Sequence, residues 1–356
     1  MIDSEIVILG GGLTGLILNY LLKQANRKCV LLEARDRLGG RSLTTDRKGN
    51  APIDLGATWW QKDHIYLQEL LSELNLTSFS QKFDGKAFYE PDASTPHQLV
   101  ALPQGGDSNN RIQGGTSTLI AKLAIFLPAD RLYLNQEVQS IRVDEQHLIV
   151  ATKSQSFRAQ KVISTIPPFL LQNKVAFTPQ LPAALLQVMQ QTHSWMGDSI
   201  KIGLTFAKPF WKSELLSGTV FSNAGPITEL YDHSNFETDL FALKGFMNNS
   251  YYSATKQQRK NLALNQLRKY YGKAVDDYLT YEELVWRNEA HTFVDYSEPV
   301  FSHQNNGHAI YQKPLFDNRL YIAGSETSAH FPGYMEGAAA SALWVYTNLM
   351  KAFSKG

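Results

Sequence analysis

The chain has a single cysteine, Cys29, in 356 residues. No intramolecular disulfide can form, so a reducing compartment is allowed and the fold must be held by packing. Cys29 falls inside an apolar run, where a buried small side chain is the expected reading. Charge of one sign is also missing: 34 Lys and Arg stand against 33 Asp and Glu. That removes the electrostatic case for nucleic acid or an anionic membrane as a partner. No apolar stretch reaches the length of a membrane span. Met1–Glu5 carries neither a basic n-region nor an apolar h-region, so no secretory leader is expected and the cytoplasm is the expected location. The nine histidines show no ligand spacing, and no metal site of the Cys/His type is expected. Repeats, low-complexity tracts and linkers are absent, and the length allows one large two-lobed unit or two domains.

What is present begins at once. Ile6-Val7-Ile8-Leu9 is a short β-branched run, and Gly10-Gly11-Gly12-Leu13-Thr14-Gly15 follows it. Leu16 to Leu22 then shows helical spacing. Strand, G-x-G-x-x-G and helix in this order form a dinucleotide-binding signature. Gly10 allows the tight turn, Gly12 lets backbone approach a pyrophosphate, and Gly15 lets helix and strand pack closely. The phosphates then rest on the helix N-terminus around Leu13 and Thr14. A second strand, Cys29–Leu32, ends at Glu33, where an acidic side chain takes the ribose hydroxyls. The alternative is a glycine turn that only packs a helix on a sheet.

Two further stretches specify the ligand. Glu33-Ala34-Arg35-Asp36-Arg37-Leu38-Gly39-Gly40-Arg41 offers glycine amides to an anion, with Arg35 and Arg41 beside them. Near the other end stand Tyr321-Ile322-Ala323-Gly324-Ser325-Glu326-Thr327 and Gly333-Tyr334-Met335-Glu336-Gly337-Ala338. The first reads as a buried strand ending in a glycine turn. The second opens a helix of small residues that can lie against a planar ring, its N-terminal amides stabilising charge on a reduced flavin.

With these stretches in view the chain resembles the FAD-dependent amine oxidase family, which includes the monoamine and polyamine oxidases. Matching segments are Gly10–Gly15, Leu32–Arg41, Asp54–Ala57, Gln113–Thr116, Val162–Pro168, Ile200–Ile202 and Ile322–Ala338, in the family's order along nearly the whole chain. The resemblance implies an α/β fold. A Rossmann-like FAD-binding domain of the glutathione-reductase type is accompanied by a second, α+β substrate domain on a mixed sheet. The expected division is 1–77, 111–190 and 286–356 for FAD, with 78–110 and 191–285 for substrate. Residues 78–110 read as mixed and loop-rich, with Pro91, Pro96, Pro103 and a turn at Gln104–Asp107. Cofactor contacts implied by the resemblance also include Gly56, Ala57, Thr58, Val138 near the adenine, Thr165, Pro167 and Trp286.

Lys201 carries two readings. In Ser199–Leu204 a lysine either leaves a strand's outer face or is buried with a purpose, and pattern alone favours solvent because buried lysines are rare. The resemblance reverses this: the matching lysine of the family holds a water against flavin N5, the hydride acceptor. Tyr334 and Phe293 match the two rings that confine the substrate nitrogen, and Trp286 the tryptophan near an edge of the flavin. For Phe293, core packing is an equally good reading.

Two departures from the family matter. The segment that carries a cysteine–flavin link in the monoamine oxidases holds Thr292 and no cysteine, so FAD is expected to be non-covalent, with His291 the one residue there able to link. The long helical block that roofs the substrate cavity is replaced by about ten residues between Ala101 and Arg111. The cavity is then shallower, open to a bulky substrate, or completed by a second subunit, which leaves a homodimer open. The expected activity is oxidation of a small amine, with oxygen as acceptor and imine or aldehyde plus peroxide as products. Alternatives are a desaturase or dehydrogenase acting on a larger metabolite, or a non-redox FAD-binding protein.

Overall fold

The computed structural model describes residues 1–45, 47–102, 109–213 and 215–354. Pro103 and the turn expected at Gln104–Asp107 lie outside the described residues. The first strand spans Ile2–Leu9, and its last four residues are fully buried. Ile6 and Ile8 enter one hydrophobic core, while Val7 and Leu9 enter another on the opposite face. A strand buried on both faces belongs in the middle of a parallel sheet. It pairs in parallel with Cys29–Leu32 on one side and Ser156–Ser164 on the other. Leu132–Tyr133 and Leu320–Ile322 extend the parallel part, and Val138–Asp144 and His147–Thr152 add an antiparallel meander.

The glycine-turn helix Leu13–Gln24 covers one face through Leu16, Leu18 and Leu22, packed against the last helix, Met335–Phe353. Small residues of that last helix, Ala338, Ala339 and Ala342, are buried in the same core. The second sheet has seven strands in the order Tyr278–Val285, Ile200–Phe206, Phe241–Met247, Ile227–Asp232, Leu216–Ser222, Lys86–Glu90 and Gln98–Ala101. It is antiparallel except where Leu216–Ser222 meets Lys86–Glu90. Helix Lys256–Tyr271, started by a capping box of Thr255 and Gln258, packs Ala263, Leu264 and Leu267 into its core.

The second expected strand is observed at Cys29–Leu32, and the Ser199–Leu204 stretch lies on the strand Ile200–Phe206. The stretch read as loop-rich contains two paired strands, Lys86–Glu90 and Gln98–Ala101. Tyr278–Val285 is also a strand, although Glu282 and Glu283 interrupt its apolar pattern. Both carboxylates are paired, Glu282 with Arg47 and Glu283 with Arg259 at 2.6 Å, which makes strand burial tolerable. Four parallel strands end at Leu9, Leu32, Ser164 and Ile322. Each is followed directly by a stretch singled out above, since ligands of open α/β sheets bind beyond the strands' carboxyl ends.

Candidate active site

Those strand ends open into one cavity of about 410 Å³. At its glycine-turn end Gly10 has φ +105°, and a Cβ there would sit 2.5 Å from Thr165 Oγ1. Gly15 lies so close to the strand that a Cβ would meet the Gly10 carbonyl at 2.1 Å. The first is a conformational requirement, the second a packing one. No side chain caps the helix at Gly12, so the donors of the first turn are not taken by a cap. Glu33, 4 % exposed, accepts from the Gly11 amide at 2.6 Å and the Arg35 amide at 2.9 Å. Arg35 reaches Glu289 and Thr292, which ties the Trp286–Phe293 segment to this end.

Arg41 and Glu326 connect the two terminal motifs. Both terminal nitrogens of Arg41 donate to the Glu326 carboxylate, and they also reach the Trp195 carbonyl at 3.0 Å and Ser325 Oγ at 3.1 Å. Burial opposes ionisation of Glu326, but the Arg41 guanidinium and the Ser325 hydroxyl outweigh it and hold the carboxyl below its ordinary value. Glu336, in the first turn of the last helix, accepts from the Tyr66 amide at 3.1 Å and the Leu67 amide at 2.8 Å. It thereby caps helix Ile65–Glu73 and fixes it beside the cavity.

The other end of the cavity is built from both sheets. Lys201 is 5 % exposed on a strand buried along its whole length, so it does not face solvent. Its Nζ donates to the Gly56 carbonyl and lies 4.8 Å from the Phe246 ring centroid. Burial pulls the amine down to about 8, with Asp54 partly opposing. Trp286 is buried and donates from Nε1 to the Leu55 carbonyl at 2.7 Å. Tyr334 precedes the last helix, is 40 % exposed, and stacks with His303 at 6.0 Å and an interplanar angle of 12°.

Gly10, Gly12, Leu13, Thr14, Glu33, Ala34, Arg35, Gly40, Arg41, Gly56, Ala57 and Thr58 all line this one cavity. Val138, Thr165, Pro167, Lys201, Trp286, Gly324, Ser325, Gly333, Tyr334, Met335 and Ala338 line it too. Three expected residues do not. Gly15 is a packing position under the turn. Glu326 is spent on Arg41, so it acts through that residue. Phe293 turns into protein, edge-on to Tyr296 at 5.7 Å and against Gly197. The ring beside Tyr334 is instead Trp195, at 5.7 Å and 37°, itself stacked on His303 at 3.9 Å. Cavity-wall residues not anticipated include Trp195, Trp59, His64 and Phe246. Phe246 lies directly opposite Lys201 in the strand register, a pairing that only the fold shows. His291 lines the cavity beside Glu137, with Nδ1 3.7 Å from its carboxylate. Cys29 is buried away from it, its thiol pushed up to about 12 by burial.

The chemistry of these walls fits FAD. Gly12 and Gly40 face each other, and a Cβ built on Gly12 would meet only the Gly40 Cα, at 3.9 Å. Bare backbone at an uncapped helix start suits a pyrophosphate. The buried Glu33 suits a ribose, and the helix start at Met335 suits the pyrimidine end of a flavin.

The sequence profile of the family described as flavin containing amine oxidoreductase matches residues 77–345. That of an NAD(P)-binding Rossmann-like domain matches residues 8–74. The probable flavin-containing monoamine oxidase A of Dictyostelium discoideum is 24 % identical over 95 % of this chain and 95 % of its own length. The putrescine oxidase of Kocuria rosea is 23 % identical, over 82 % and 84 %. Among solved structures, putrescine oxidase bound to putrescine superposes with a TM-score of 0.85 at 20 % identity, covering 98 % of this chain and 99 % of that one. Cyclohexylamine oxidase from Brevibacterium oxydans gives 0.85 at 18 % identity, covering 99 % and 100 %. At these identities the superpositions establish the shared two-domain fold.

Proposed function

This chain belongs to the flavin-containing amine oxidoreductase family, and from that premise we propose that it holds FAD without a covalent bond and oxidises an uncharged amine at its α-carbon. When bound, FAD supplies the hydride acceptor at N5 and passes the electron pair to oxygen, giving peroxide. The chain's own residues do the rest. The helix starts at Leu13 and Met335, with Glu33, fix the cofactor's two ends. Arg41, held by Glu326, keeps the loop that carries Gly39 and Gly40 against the last motif. Lys201 holds a water in front of the ring, its amine drawn down by burial. Tyr334 and Trp195 bound the place where the amine's α-carbon meets the ring, and with Trp286 they exclude bulk water. The amine enters in its neutral form, its ammonium proton left to bulk water; loss of hydride from its α-carbon leaves an iminium ion, which water hydrolyses to a carbonyl compound and the released amine or ammonia. Residues 1–77, 111–190 and 286–356 form the cofactor side in this reading, and 78–110 with 191–285 the substrate side.

One observation carries this reading. The glycine turn with Glu33, Lys201 and Tyr334 line the same cavity although they come from the start, the middle and the end of the chain, the first two from different sheets. No helix among the described residues is long and apolar enough to cross a membrane. A cytoplasmic location accords with the single buried thiol. The test is anaerobic mixing of the purified yellow protein with primary, secondary, poly- and amino-acid amines. Loss of flavin absorbance, followed by peroxide release in air, is the expected result. A flavin that stays oxidised with every amine refutes the proposal.

A further inference from the structure

His64 is the residue before helix Ile65–Glu73 and is 3 % exposed, yet it forms part of the cavity wall. Its ring is fixed from several sides. Nδ1 accepts from the Gln61 backbone amide at 3.3 Å. Phe331 meets the ring edge-on, with 4.7 Å between centroids and 64° between planes. Tyr334 lies at 6.2 Å and 59°. The elements that carry His64 and Tyr334 are joined as well, because Glu336 accepts from the Tyr66 and Leu67 amides. One carboxylate thus keeps the imidazole in register with the tyrosine that bounds the amine's place.

Burial pulls His64 below its ordinary value, with Asp63 only partly opposing, so the ring is neutral at neutral pH. A neutral imidazole has one donor and one acceptor nitrogen. A backbone amide points at Nδ1, which makes it the acceptor and puts the proton on Nε2. Among the described residues no protein atom accepts from Nε2, and unlike Nδ1 of His233 it is not sealed in protein. The carboxylates that line the cavity, Glu33 and Glu137, are both at the Arg35–His291 end. The neighbouring polar side chains of the wall are turned to each other, Gln61 Nε2 donating to Asn109 Oδ1 at 3.2 Å. His64 therefore brings to this end of the cavity a fixed donor that the protein does not answer.

We propose that His64 determines specificity: its Nε2–H donates to a hydroxyl or ether oxygen carried within two carbons of the amine's α-carbon, so the preferred substrate is an amino alcohol or amino ether. The inference rests on the amine-oxidising reading and names its substrate class. An ammonium group cannot take that place, because it has no lone pair to offer. A methyl group there would displace water from Nε2 and leave a buried donor unpaired, which is costly. A site built to hydrogen-bond an oxygen rejects the analogue that lacks it for this reason. His64 is also excluded as the base for the amine's proton, since its acceptor nitrogen is already taken.

Binding can be read without turnover. An amine whose α-carbon bears no hydrogen cannot give hydride. The FAD-loaded protein would be titrated with such amines carrying a hydroxymethyl or hydroxyethyl arm, each against its match with ethyl or propyl in the same place, following flavin absorbance and thermal shift. At least one alcohol is expected to bind tighter than its match by on the order of tenfold. Two variants separate the donor from the shape of the ring. His64→Gln sets an amide nitrogen near the place of Nε2 and should keep most of the preference. His64→Asn sets its side-chain oxygen near the place of Nδ1, keeps an acceptor for the Gln61 amide, and should abolish the preference. Equal or tighter binding of both alkyl amines to the parent overturns the inference. So does a preference that survives in His64→Asn, or one lost alike in both variants. If His64→Asn does not fold, the parent ratio and His64→Gln decide. Failure of every oxidisable amine to reduce the flavin would refute the activity itself, and the binding ratio reads this inference separately.

Discussion

Glu33→Ala would remove an acceptor with two protein partners and a third implied by the cofactor. Its oxygens take the Gly11 amide at 2.6 Å and the Arg35 amide at 2.9 Å from a site that is 4 % exposed. Hydrogen bonds to a charged group contribute about 1.5–3 kcal/mol each, and stranding buried donors is costly in itself. Water entering the vacated volume recovers part of this, so a net loss of about 2–4 kcal/mol is expected in the protein without FAD. That is a sizeable share of a total stability of about 5–15 kcal/mol. The ribose would lose its acceptor as well, at about 1.5–3 kcal/mol. FAD affinity should therefore fall roughly 10- to 150-fold. Glu33→Gln keeps the shape and one acceptor oxygen, so it should fall between. Thermal melting of the deflavinated proteins reads the first effect, and fluorescence titration with FAD reads the second. If Glu33→Ala melts early but binds FAD with parental affinity, the carboxylate serves the turn alone. If neither quantity changes, the whole assignment of this end of the cavity is wrong.

Three further outcomes follow from the same geometry. Lys201→Met should keep FAD but slow flavin reduction, reoxidation by oxygen, or both; stopped-flow traces matching the parent in both half-reactions would refute a role at the ring. The same variant should be more stable than the parent near neutral pH. Burial holds Lys201 at about 8, below its ordinary 10.5, so the unfolded chain binds more protons between those values. Lys201 therefore costs stability at low pH, up to about 3 kcal/mol, and the cost fades as pH rises from about 8 towards 10.5. Melting curves of the two proteins at pH values on either side of 8 should show the gap shrinking upward, and a gap independent of pH would refute the shift. Acid or heat precipitation should release the flavin into the supernatant, since Cys29 is buried outside the cavity and Thr292 forms no stable link. Colour retained in the pellet, with one extra FAD in the intact mass, would direct attention to His291.

The legible part of this molecule is the part where one residue type has one backbone use. Gly10 needs its positive φ and Gly15 its close approach, so the turn is readable from spacing alone. Ile6–Leu9 is apolar on both faces because both faces are covered. The second sheet was harder to read because its strands carry charges satisfied by distant partners. Glu283 needs Arg259, 24 residues away, before Tyr278–Val285 reads as a strand. Lys201 is the same problem at the site, since a lysine on an apolar strand reads as solvated until the Gly56 carbonyl is brought to it. Lys244 stands in the same way on the strand Phe241–Met247, buried because Thr58 is brought to it. Phe293 misled for a different reason. The Trp286–Phe293 segment is tied to Arg35 through Glu289 and Thr292, which turns the next ring inward onto Tyr296. Trp195 stood at the crossing between the sheets, where periodicity carries no information.

The two terminal motifs depend on each other physically. Arg41 and Glu326 are 285 residues apart in the chain, and the pair also gathers Ser325 and the Trp195 carbonyl. A fully buried carboxylate without its guanidinium would be left as an uncompensated charge, which is strongly destabilising. The loop after Glu33 therefore keeps its place only when the C-terminal strand and helix have docked. That docking also brings Glu336 onto helix Ile65–Glu73 and seats Met335 at the cavity. Trp195 is drawn in by the same arginine, through its backbone, and its ring then stands beside Tyr334. The ion pair thus sets the loop after Glu33, the start of the last helix and the Trp195–Tyr334 part of the cavity wall in one step. Lys201 enters from the other sheet, so its part of the cavity wall forms only when that sheet meets the Gly56 carbonyl.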